Sequence, residues 1–388
     1  MGDQGRMQTF SATTPVRLGP AQHLATRLAF FIAGFGLAAW APLVPFVKAR
    51  AGLDDGALGL LLLSLGVGSI VAMPLAGALV ARLGCRLVLI VATVLLCLTL
   101  PLLATLSSVP LLAAALFVFG AGVGSIDCTI NIQAVIVERA AGRPMMSGFH
   151  GLFSLGGILG AAGVSGLLGV GFTPLMASVV VVAGMVLALL AAMPGLLTGG
   201  ESSGPPFAVP HGVVLFIGIL CFIMFLAEGA ALDWSAVFLS QVRGAEPAVA
   251  GLAYAAFAAT MTAGRLAGDA IVQRLGPIRV VVWGAICAAA GLALATLVPA
   301  WEAALAGYAL LGAGCSNIVP VFFTAAGRQN VMPESVAIPA ITTLGYAGIL
   351  VGPAAIGFVA HAASLSVALL IVALLLLGVA ASARWLRI

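Results

Sequence analysis

Apolar residues run along this chain in long unbroken segments, separated by short clusters of charged, Gly, Pro or Ser residues. A helix needs about 20 apolar residues to cross the hydrocarbon core of a bilayer, and segments of this length recur from Arg27 to Arg384. A transmembrane β-strand would instead alternate apolar and polar positions. Because the segments are continuous, the pattern predicts membrane-spanning α-helices.

The breaks divide the chain into twelve predicted spans, so the predicted fold class is an all-α membrane protein. The spans cover residues 27–47, 56–81, 86–106, 110–138, 146–169, 172–194, 212–240, 248–273, 279–299, 302–326, 336–360 and 362–384. The residues before Arg27 are polar and are expected to form a tail. The first span is too long for the apolar core of a signal peptide, so we expect it to remain in the protein.

Composition strengthens the membrane assignment and excludes several other classes. Hydrophobic residues make up 62% of the chain and charged residues 7%, whereas soluble domains carry about 25% charged residues. The net charge of +4 does not indicate a nucleic-acid partner, because the basic residues lie at helix ends. The six cysteines are isolated and form no CxxC motif, so neither a metal site nor a structural disulfide is expected. No cofactor is expected either.

The basic residues predict the orientation of the chain, because Lys and Arg favour the cytoplasmic side of a membrane. If the N-terminus is inside, twelve of the 16 Lys and Arg residues fall on the cytoplasmic side. Lys48, Arg50 and Arg243 fall outside, and Arg265 lies near the cytoplasmic end of helix eight. The sequence therefore predicts a multi-pass protein of the cytoplasmic (inner) membrane with both termini in the cytoplasm.

The midpoint of the chain differs in composition from the spans around it. The segment "LLTGGESSGPPFAVPHG" is rich in Gly, Pro and Ser, which is typical of a linker between separable units. It predicts four regions along the chain. These are a cytoplasmic tail at 1–26, a six-helix bundle at 27–194, a cytoplasmic linker at 195–211 and a second six-helix bundle at 212–388.

The two halves of the sequence repeat each other in one register. "GLDDGALGL" at 52–60 aligns with "GAEPAVAGL" at 244–252, and "RLG" at 82–84 aligns with "RLG" at 274–276. Both pairs are separated by 192 residues, and "GAG" and a glycine pair further along keep the same offset. The repeat predicts two bundles that arose by duplication. Because both begin on the same side, their symmetry axis lies along the membrane normal, as in transporters built from parallel repeats.

Three motifs add a family resemblance that extends over essentially the whole chain. "GRLAGDAIVQRLGPIR" at 264–279 resembles the cytoplasmic signature of the major facilitator superfamily, although its first-half partner has Gly77 where the signature has Asp269. "EGAALDWSAVFL" and "GRPMMSGFHGLFSLGG" resemble a bacterial branch near the fucose-permease-like sugar transporters. The resemblance implies two pseudo-symmetric bundles, a cavity lined by helices one, four, seven and ten, a small-molecule substrate and a monomer.

Three acidic residues within the spans are the predicted proton-coupling groups. An ionisable side chain at bilayer depth costs about 2.5–3.5 kcal/mol on insertion scales, so it usually faces the bundle interior and has a function. Glu228 is the first choice, Asp127 the alternative on the facing bundle, and Asp233 the third. Glu228 and Asp233 lie about 140° apart around a straight helix, so both can face one cavity only if the helix bends near Gly229.

Six further residues are candidates for contact with a substrate, and each has a structural alternative. They are Asn131, Asn317, His150, Trp40, Trp234 and Tyr346. The two asparagines also fit helix–helix hydrogen bonds. The histidine fits a capped or snorkelling position, and the tryptophans fit interfacial anchors.

The resemblance to the superfamily's cytoplasmic signature implies a conformational latch near the end of helix eight. By the pseudo-symmetry of the superfamily, Asp269 is expected to approach the start of helix five and to hold the cytoplasmic side closed. The basic residues of the two signature loops are assigned to the same latch. They are Arg265, Arg274, Arg82 and Arg86.

The leading functional hypothesis is a secondary transporter that moves a small polar, sugar-like solute by alternating access and is coupled to protons. Export of lipophilic drugs by proton antiport is the alternative within transport, although helix five lacks the proline expected for that class. A membrane-embedded lipid-linked transferase would need a catalytic cluster such as His150, Glu138 and Arg143, and a sensor without transport activity also fits the sequence. We expect no catalytic residues and no enzymatic activity, since the parallel repeat indicates transport.

Overall fold

The computed structural model describes residues 18–199 and 209–386, so most of the predicted tail and the central part of the predicted linker lie outside the described residues. The first six spans are α1 to α6. They are α1, Pro20–Ala51; α2 and α3, the two arms (55–83 and 85–105) of the bent helix Asp55–Thr105; α4, Val109–Ala141; α5, Met146–Gly169; and α6, Pro174–Ala192.

The second six spans are α7 to α12. They are α7, Gly212–Val237, extended by a π-helical turn at Phe238–Val242; α8, Leu252–Leu275; α9, Pro277–Leu297; α10, Trp301–Cys315 and Ile318–Arg328; α11, Glu334–Ala362; and α12, Leu365–Ser382. No residue of the described part lies in a strand.

Ten helical segments of the described chain are long and apolar enough to cross a membrane. One of them, Ala57–Thr105, bends at Gly84 and supplies two spans, α2 and α3. The twelfth span, α8, lies outside this set because it is less apolar than the other spans. The prediction of an all-α protein with twelve spans is therefore confirmed. The helix of α1 begins at Pro20, seven residues before the predicted span at 27–47.

An even number of crossings places the two ends of the chain on one face of the membrane. We call this face the terminal side. It also carries the bend at Gly84, the turns at Gly142 and Gly276, and the loop that joins α10 to α11. The opposite face carries the turns at Gly52 and Gly244.

The backbone repeats the 192-residue offset of the sequence at two pairs of glycines. Gly52 and Gly244 have φ angles of 63° and 68°, and Gly84 and Gly276 have φ angles of 78° and 81°. Positive φ is accessible to glycine at no steric cost, whereas other L-residues rarely adopt it. The same turn geometry therefore recurs at equivalent points of the two bundles.

Two arginines on the opposite face close equivalent helix ends. Arg50 donates from Nε to the carbonyl oxygen of Leu106 (2.9 Å) and from Nη2 to that of Leu103 (2.8 Å), at the end of α3. Arg243 donates from Nε and Nη2 to the carbonyl oxygen of Ala295 (3.0 and 2.8 Å), at the end of α9. The last carbonyls of a helix lack intrahelical partners, so these bonds satisfy groups that would otherwise remain open.

Small residues allow α2 to approach α4 and α8 to approach α10 in the same way. A side chain at Gly120 would collide with the carbonyl of Leu65, and one at Gly312 would collide with the carbonyl of Phe257. Both the glycines and the carbonyls are separated by 192 residues. Ser69 also donates to the carbonyl oxygen of Gly120 at 2.8 Å. Close backbone approach through small residues is the usual basis of helix association in membranes.

This packing predicts that Gly312→Val destabilises the protein, because the new side chain would overlap the backbone of α8. Overpacking typically costs about 1–3 kcal/mol. Gly163→Val is a matched control, since no atom lies within 4 Å of the corresponding position on α5. Thermal unfolding in detergent should show a lower midpoint for Gly312→Val only. Equal midpoints for the two variants would contradict the packing.

Candidate functional site

The start of α5 on the terminal side is held by a buried carboxylate from α4. Glu138 is 5% exposed and accepts hydrogen bonds at Oε2 from the backbone N–H groups of Met145 (2.7 Å) and Met146 (2.8 Å). Its Oε1 accepts a hydrogen bond from the hydroxyl of Thr324 at 2.5 Å. Because Thr324 belongs to α10, Glu138 closes a helix N-terminus within its own bundle and also binds the other bundle.

A second carboxylate reaches the same helix end from the second bundle. Asp269 of α8 accepts a hydrogen bond at Oδ1 from the backbone N–H of Gly148 at 3.0 Å. Helix N-termini carry free N–H groups and a partial positive charge, which stabilise negative groups. Gly77, the counterpart of Asp269, instead packs directly against the backbone of Ser335 at the start of α11.

Arg139 supplies a third connection between the bundles on the terminal side. It lies near the end of α4, forms an ion pair with Glu334 at the start of α11 and donates a hydrogen bond to the carbonyl oxygen of Gly327. All the polar contacts between bundles that involve Glu138, Arg139 and Asp269 lie near this face. We call these contacts the terminal gate, and it is closed in this structure.

The basic residues assigned to the latch do not join Asp269. Arg82 and Arg274 are exposed, and the structure shows no hydrogen bond or ion pair between their side chains and any described residue. Arg86 is partly exposed and contributes only a backbone bond to Leu197 (2.8 Å). Arg265 points away from the terminal gate into the interior, which corrects its expected position.

Arg265 and Glu228 form an ion pair in the interior of the helical bundle. Arg265 Nη2 lies 3.3 Å from Glu228 Oε1, and the two side chains are 9% and 15% exposed. Arg265 Nη1 donates to the hydroxyl of Ser154 at 3.1 Å, and Nε donates to the carbonyl oxygen of Ser316 at 3.3 Å. One guanidinium therefore connects α7, α8 and α10 of the second bundle with α5 of the first bundle.

The carbonyl of Ser316 is free to accept this bond because α10 is broken. The helix stops at Cys315 and resumes at Ile318. Pro320 lies four residues after Ser316 and has no N–H to donate, so the usual intrahelical bond cannot form. Asn317 stabilises the break, since its Nδ2 donates to the carbonyl oxygen of Gly264 at 3.1 Å.

Asn317 is accordingly a packing residue in this conformation and does not face an open cavity. It is 5% exposed, and its Oδ1 has no hydrogen-bond partner among the described residues. That oxygen packs directly against Gly268 of α8, where a side chain would overlap it.

Asn131 and His150 form a second polar group, on α4 and α5. His150 Nε2 lies 3.2 Å from Asn131 Oδ1, and Asn131 Nδ2 donates to the backbone carbonyl oxygen of Asp127 at 2.8 Å. The imidazole ring also contacts the rings of Phe30 and Phe323 in tilted arrangements, with centroid distances of 5.2 and 5.6 Å. Because Phe323 belongs to α10, this aromatic contact also joins the two bundles.

The carboxylate of Asp127 is partly exposed and forms no hydrogen bond or ion pair with another described side chain. It lies within electrostatic range of Tyr346 of α11, in the second bundle. The Tyr346 ring packs against Phe225 of α7, with the ring centroids 6.1 Å apart.

Among the described residues, no hydrogen bond, ion pair or ring contact joins Asp233, Trp40 or Trp234 to these central groups. α7 continues as an α-helix through Gly229, so it does not bend to bring Asp233 beside Glu228, and Asp233 is exposed. Trp40 is 5% exposed and directly follows Ala39, where the first helical stretch of α1 (Pro20–Ala39) ends. Trp234 packs towards Gly357 of α11, with its Nε1 buried and lacking a partner among the described residues.

Sequence reasoning did not assign functions to several residues that shape this region. Ser154 and Ser316 bind Arg265, and Thr324 binds Glu138 across the bundles. Pro320 was the available signal for the break in α10, because a proline inside a span removes one backbone hydrogen bond. In the described part of the chain, no three His, Cys, Asp or Glu residues are grouped closely enough to hold a metal ion.

Comparison with known proteins identifies the family. The family model of the Major Facilitator Superfamily matches residues 28–328. The chain is 59% identical over 371 residues to an uncharacterized MFS-type transporter from Yersinia pestis, covering 95% of this chain and 97% of that protein. It is also 33% identical over 346 residues to the membrane protein MosC of Rhizobium meliloti, covering 88% of this chain and 84% of MosC.

Solved structures show the same fold. FucP in its outward conformation aligns with a TM-score of 0.77 at 18% identity, covering 95% of this chain and 98% of FucP. The human organic anion transporter MFSD10 aligns with a TM-score of 0.75 at 16% identity, covering 94% of this chain and all of that chain. Together with the family match and the relatives, the twelve-helix architecture leads to one conclusion: the chain belongs to the Major Facilitator Superfamily, and it is a transporter and not an enzyme.

Proposed function

We propose that this transporter moves a small polar, sugar-like solute across the cytoplasmic membrane by alternating access, and that protons supply the driving force. In this proposal both termini are cytoplasmic, the terminal side faces the cytoplasm and the protein acts as a monomer. The structure then represents the state in which the cytoplasmic gate is closed.

The observation that carries the proposal is the ion pair between Glu228 and Arg265. A proton on Glu228 removes the counter-charge of a buried guanidinium, and an uncompensated buried charge is strongly destabilising. Arg265 also binds Ser154 of the other bundle at 3.1 Å. Protonation of Glu228 therefore weakens an arrangement that joins the two bundles, which couples proton binding to their relative movement.

The polar groups near the centre suit a solute with several hydroxyl groups. Asp127 and Tyr346 are partly exposed and offer polar groups, whereas Asn131 and His150 beside them are buried in this conformation. The aromatic rings of Phe225 and Tyr346 offer an apolar surface. Sites of this kind combine apolar surface with a few polar groups that fix orientation. FucP, which has been described as an E. coli fucose:proton symporter, shares the fold and by analogy supports a sugar-like solute and proton coupling.

Proton coupling predicts different defects at the two central carboxylates. Glu228→Gln should abolish accumulation driven by a pH gradient while retaining solute exchange in counterflow, because exchange needs no net proton movement. Asp127→Asn should retain part of the pH-driven accumulation if Asp127 mainly contacts the solute. Asp233→Asn is the control at an exposed site on the same helix as Glu228.

These assays use proteoliposomes and a pool of labelled metabolites, from which the accumulated solute is identified. Full pH-driven accumulation in Glu228→Gln would transfer the role of proton carrier to Asp127. If Asp127→Asn also accumulates solute normally, the hypothesis that either carboxylate couples transport to protons is wrong. Export of lipophilic compounds in exchange for protons is the outcome that would favour the antiport alternative.

The proposed orientation predicts which loops react with an impermeant thiol reagent added to intact cells. A cysteine at position 245, in the turn between α7 and α8, should be labelled from outside. A cysteine at position 277, at the start of α9, should be protected until the membrane is permeabilised. The reverse labelling pattern would place the terminal side outside the cell and overturn the assignment.

Asp269→Asn is predicted to weaken the terminal gate, because it removes a negative charge from the N-terminus of α5. Such a charge contributes about 0.3–1 kcal/mol, and up to about 2 kcal/mol when partly buried. A cysteine at position 147 should become more accessible from the cytoplasmic side in this variant. Arg274→Gln is the control, since that side chain is exposed and has no partner among the described residues. Unchanged accessibility in Asp269→Asn would remove Asp269 from the latch.

A further inference from the structure

A cleft of about 270 Å³ opens beside the terminal gate. It lies between the ends of α4, α8 and α10 and the starts of α5 and α9, so both bundles form its walls. Thr324 and Glu138, whose hydrogen bond joins the bundles, line its inner part. A group bound here would contact both halves of the transporter at the gate itself.

Two unpaired guanidinium groups face this cleft. Arg143 comes from the turn between α4 and α5 of the first bundle, and Arg328 comes from the end of α10 in the second. Neither side chain forms a hydrogen bond or ion pair with any described residue. Glu138 also lines the cleft, but it forms no ion pair with either arginine, and its two oxygens bind three neutral donors. The nearby Arg139, in contrast, is paired with Glu334.

The start of α9 adds a partial positive charge beside the same cleft. Gly276 precedes this helix and Pro277 begins it, and both line the cleft. Neither backbone donates to the cleft, because the Gly276 N–H binds the carbonyl oxygen of Val272 (2.9 Å) and proline has no N–H. The first turn contains no acidic residue and no side chain caps it, so the positive end of the helix dipole favours an anion. Gln273, at the end of α8, presents an amide to the same space.

We propose that this cleft binds a phosphate group and that the bound phosphate holds the terminal gate closed. Arginine binds phosphate through charge-assisted, often bidentate hydrogen bonds. One phosphate contacting Arg143 and Arg328 together joins the two bundles, and this contact is lost when the bundles separate on the terminal side. The phosphate belongs either to the headgroup of an anionic phospholipid or to a soluble phosphate compound. In both cases it acts as a brake on transport, independently of which solute is carried.

The first measurement is the thermal stability of the purified transporter. One arm titrates inorganic phosphate into protein in a neutral detergent. The other arm compares nanodiscs of phosphatidylcholine alone with nanodiscs that also contain phosphatidylglycerol. The variants are Arg143→Gln and Arg328→Gln, and the control is Arg274→Gln, which removes an equal charge at the end of α8 but does not line the cleft.

The second measurement reports the gate directly. It follows the alkylation rate of the thiol in Val135→Cys, because Val135 contacts Gly327 across the bundles. The six native cysteines are removed from the background protein. We expect the ligand to slow alkylation several-fold in the parent protein and in Arg274→Gln, but not in Arg143→Gln or Arg328→Gln. Variants that reach the same melting midpoint as the parent without ligand show that folding is intact.

The arms separate the two sources of the phosphate. Stabilisation by inorganic phosphate indicates a soluble phosphate compound, and stabilisation by phosphatidylglycerol alone indicates a lipid headgroup. The proposal is overturned if neither ligand stabilises the protein, if the control loses the effect equally, or if binding leaves the alkylation rate unchanged. A loss of proton coupling in the Glu228 variants has no bearing on these outcomes, so the two proposals fail separately.

Discussion

The buried positive charge of Arg265 is the constraint on which the central part of this transporter depends. A guanidinium inside a membrane-spanning bundle is costly unless every face of it is compensated. Glu228 supplies the counter-charge at 3.3 Å, the carbonyl of Ser316 supplies an acceptor, and the hydroxyl of Ser154 supplies another from the facing bundle. The acceptor at Ser316 exists only because α10 is broken, so a local backbone defect and the buried charge stabilise each other.

At the terminal gate, negative side chains compensate the partial positive charge of a helix end. The N-terminus of α5 presents free N–H groups, and carboxylates from α4 and α8 bind them. Since α8 also carries Arg265, one helix contacts the first bundle at two depths. In the proposed mechanism, a movement that displaces Arg265 from Ser154 is transmitted along α8 to Asp269, so the central ion pair can control the gate.

Sequence reasoning recovered the architecture because it depends on regular patterns. Continuous apolar segments predicted the helices, and the constant 192-residue offset predicted the repeat that reappears in the φ angles of Gly52 and Gly244. The pairing of Glu228 with Arg265 could not be predicted, since the residues lie on different helices whose rotations depend on packing. Arg265 was placed at the gate because it belongs to the signature motif, although it lies one helical turn deeper than Asp269 and faces another direction. The proton-coupling and substrate assignments stay predictions.

The most direct test of the account is a distance measurement between the bundles as a function of pH. Spin labels at positions 141 and 330 report the terminal side, and labels at the pseudo-symmetric positions 108 and 300 report the opposite side. If protonation of Glu228 removes the counter-charge of Arg265, acidification should lengthen the first distance and shorten the second. Glu228→Gln should show the acidic distribution at every pH. Distances that do not change with pH, or that change equally in Glu228→Gln, would contradict the coupling of this ion pair to alternating access.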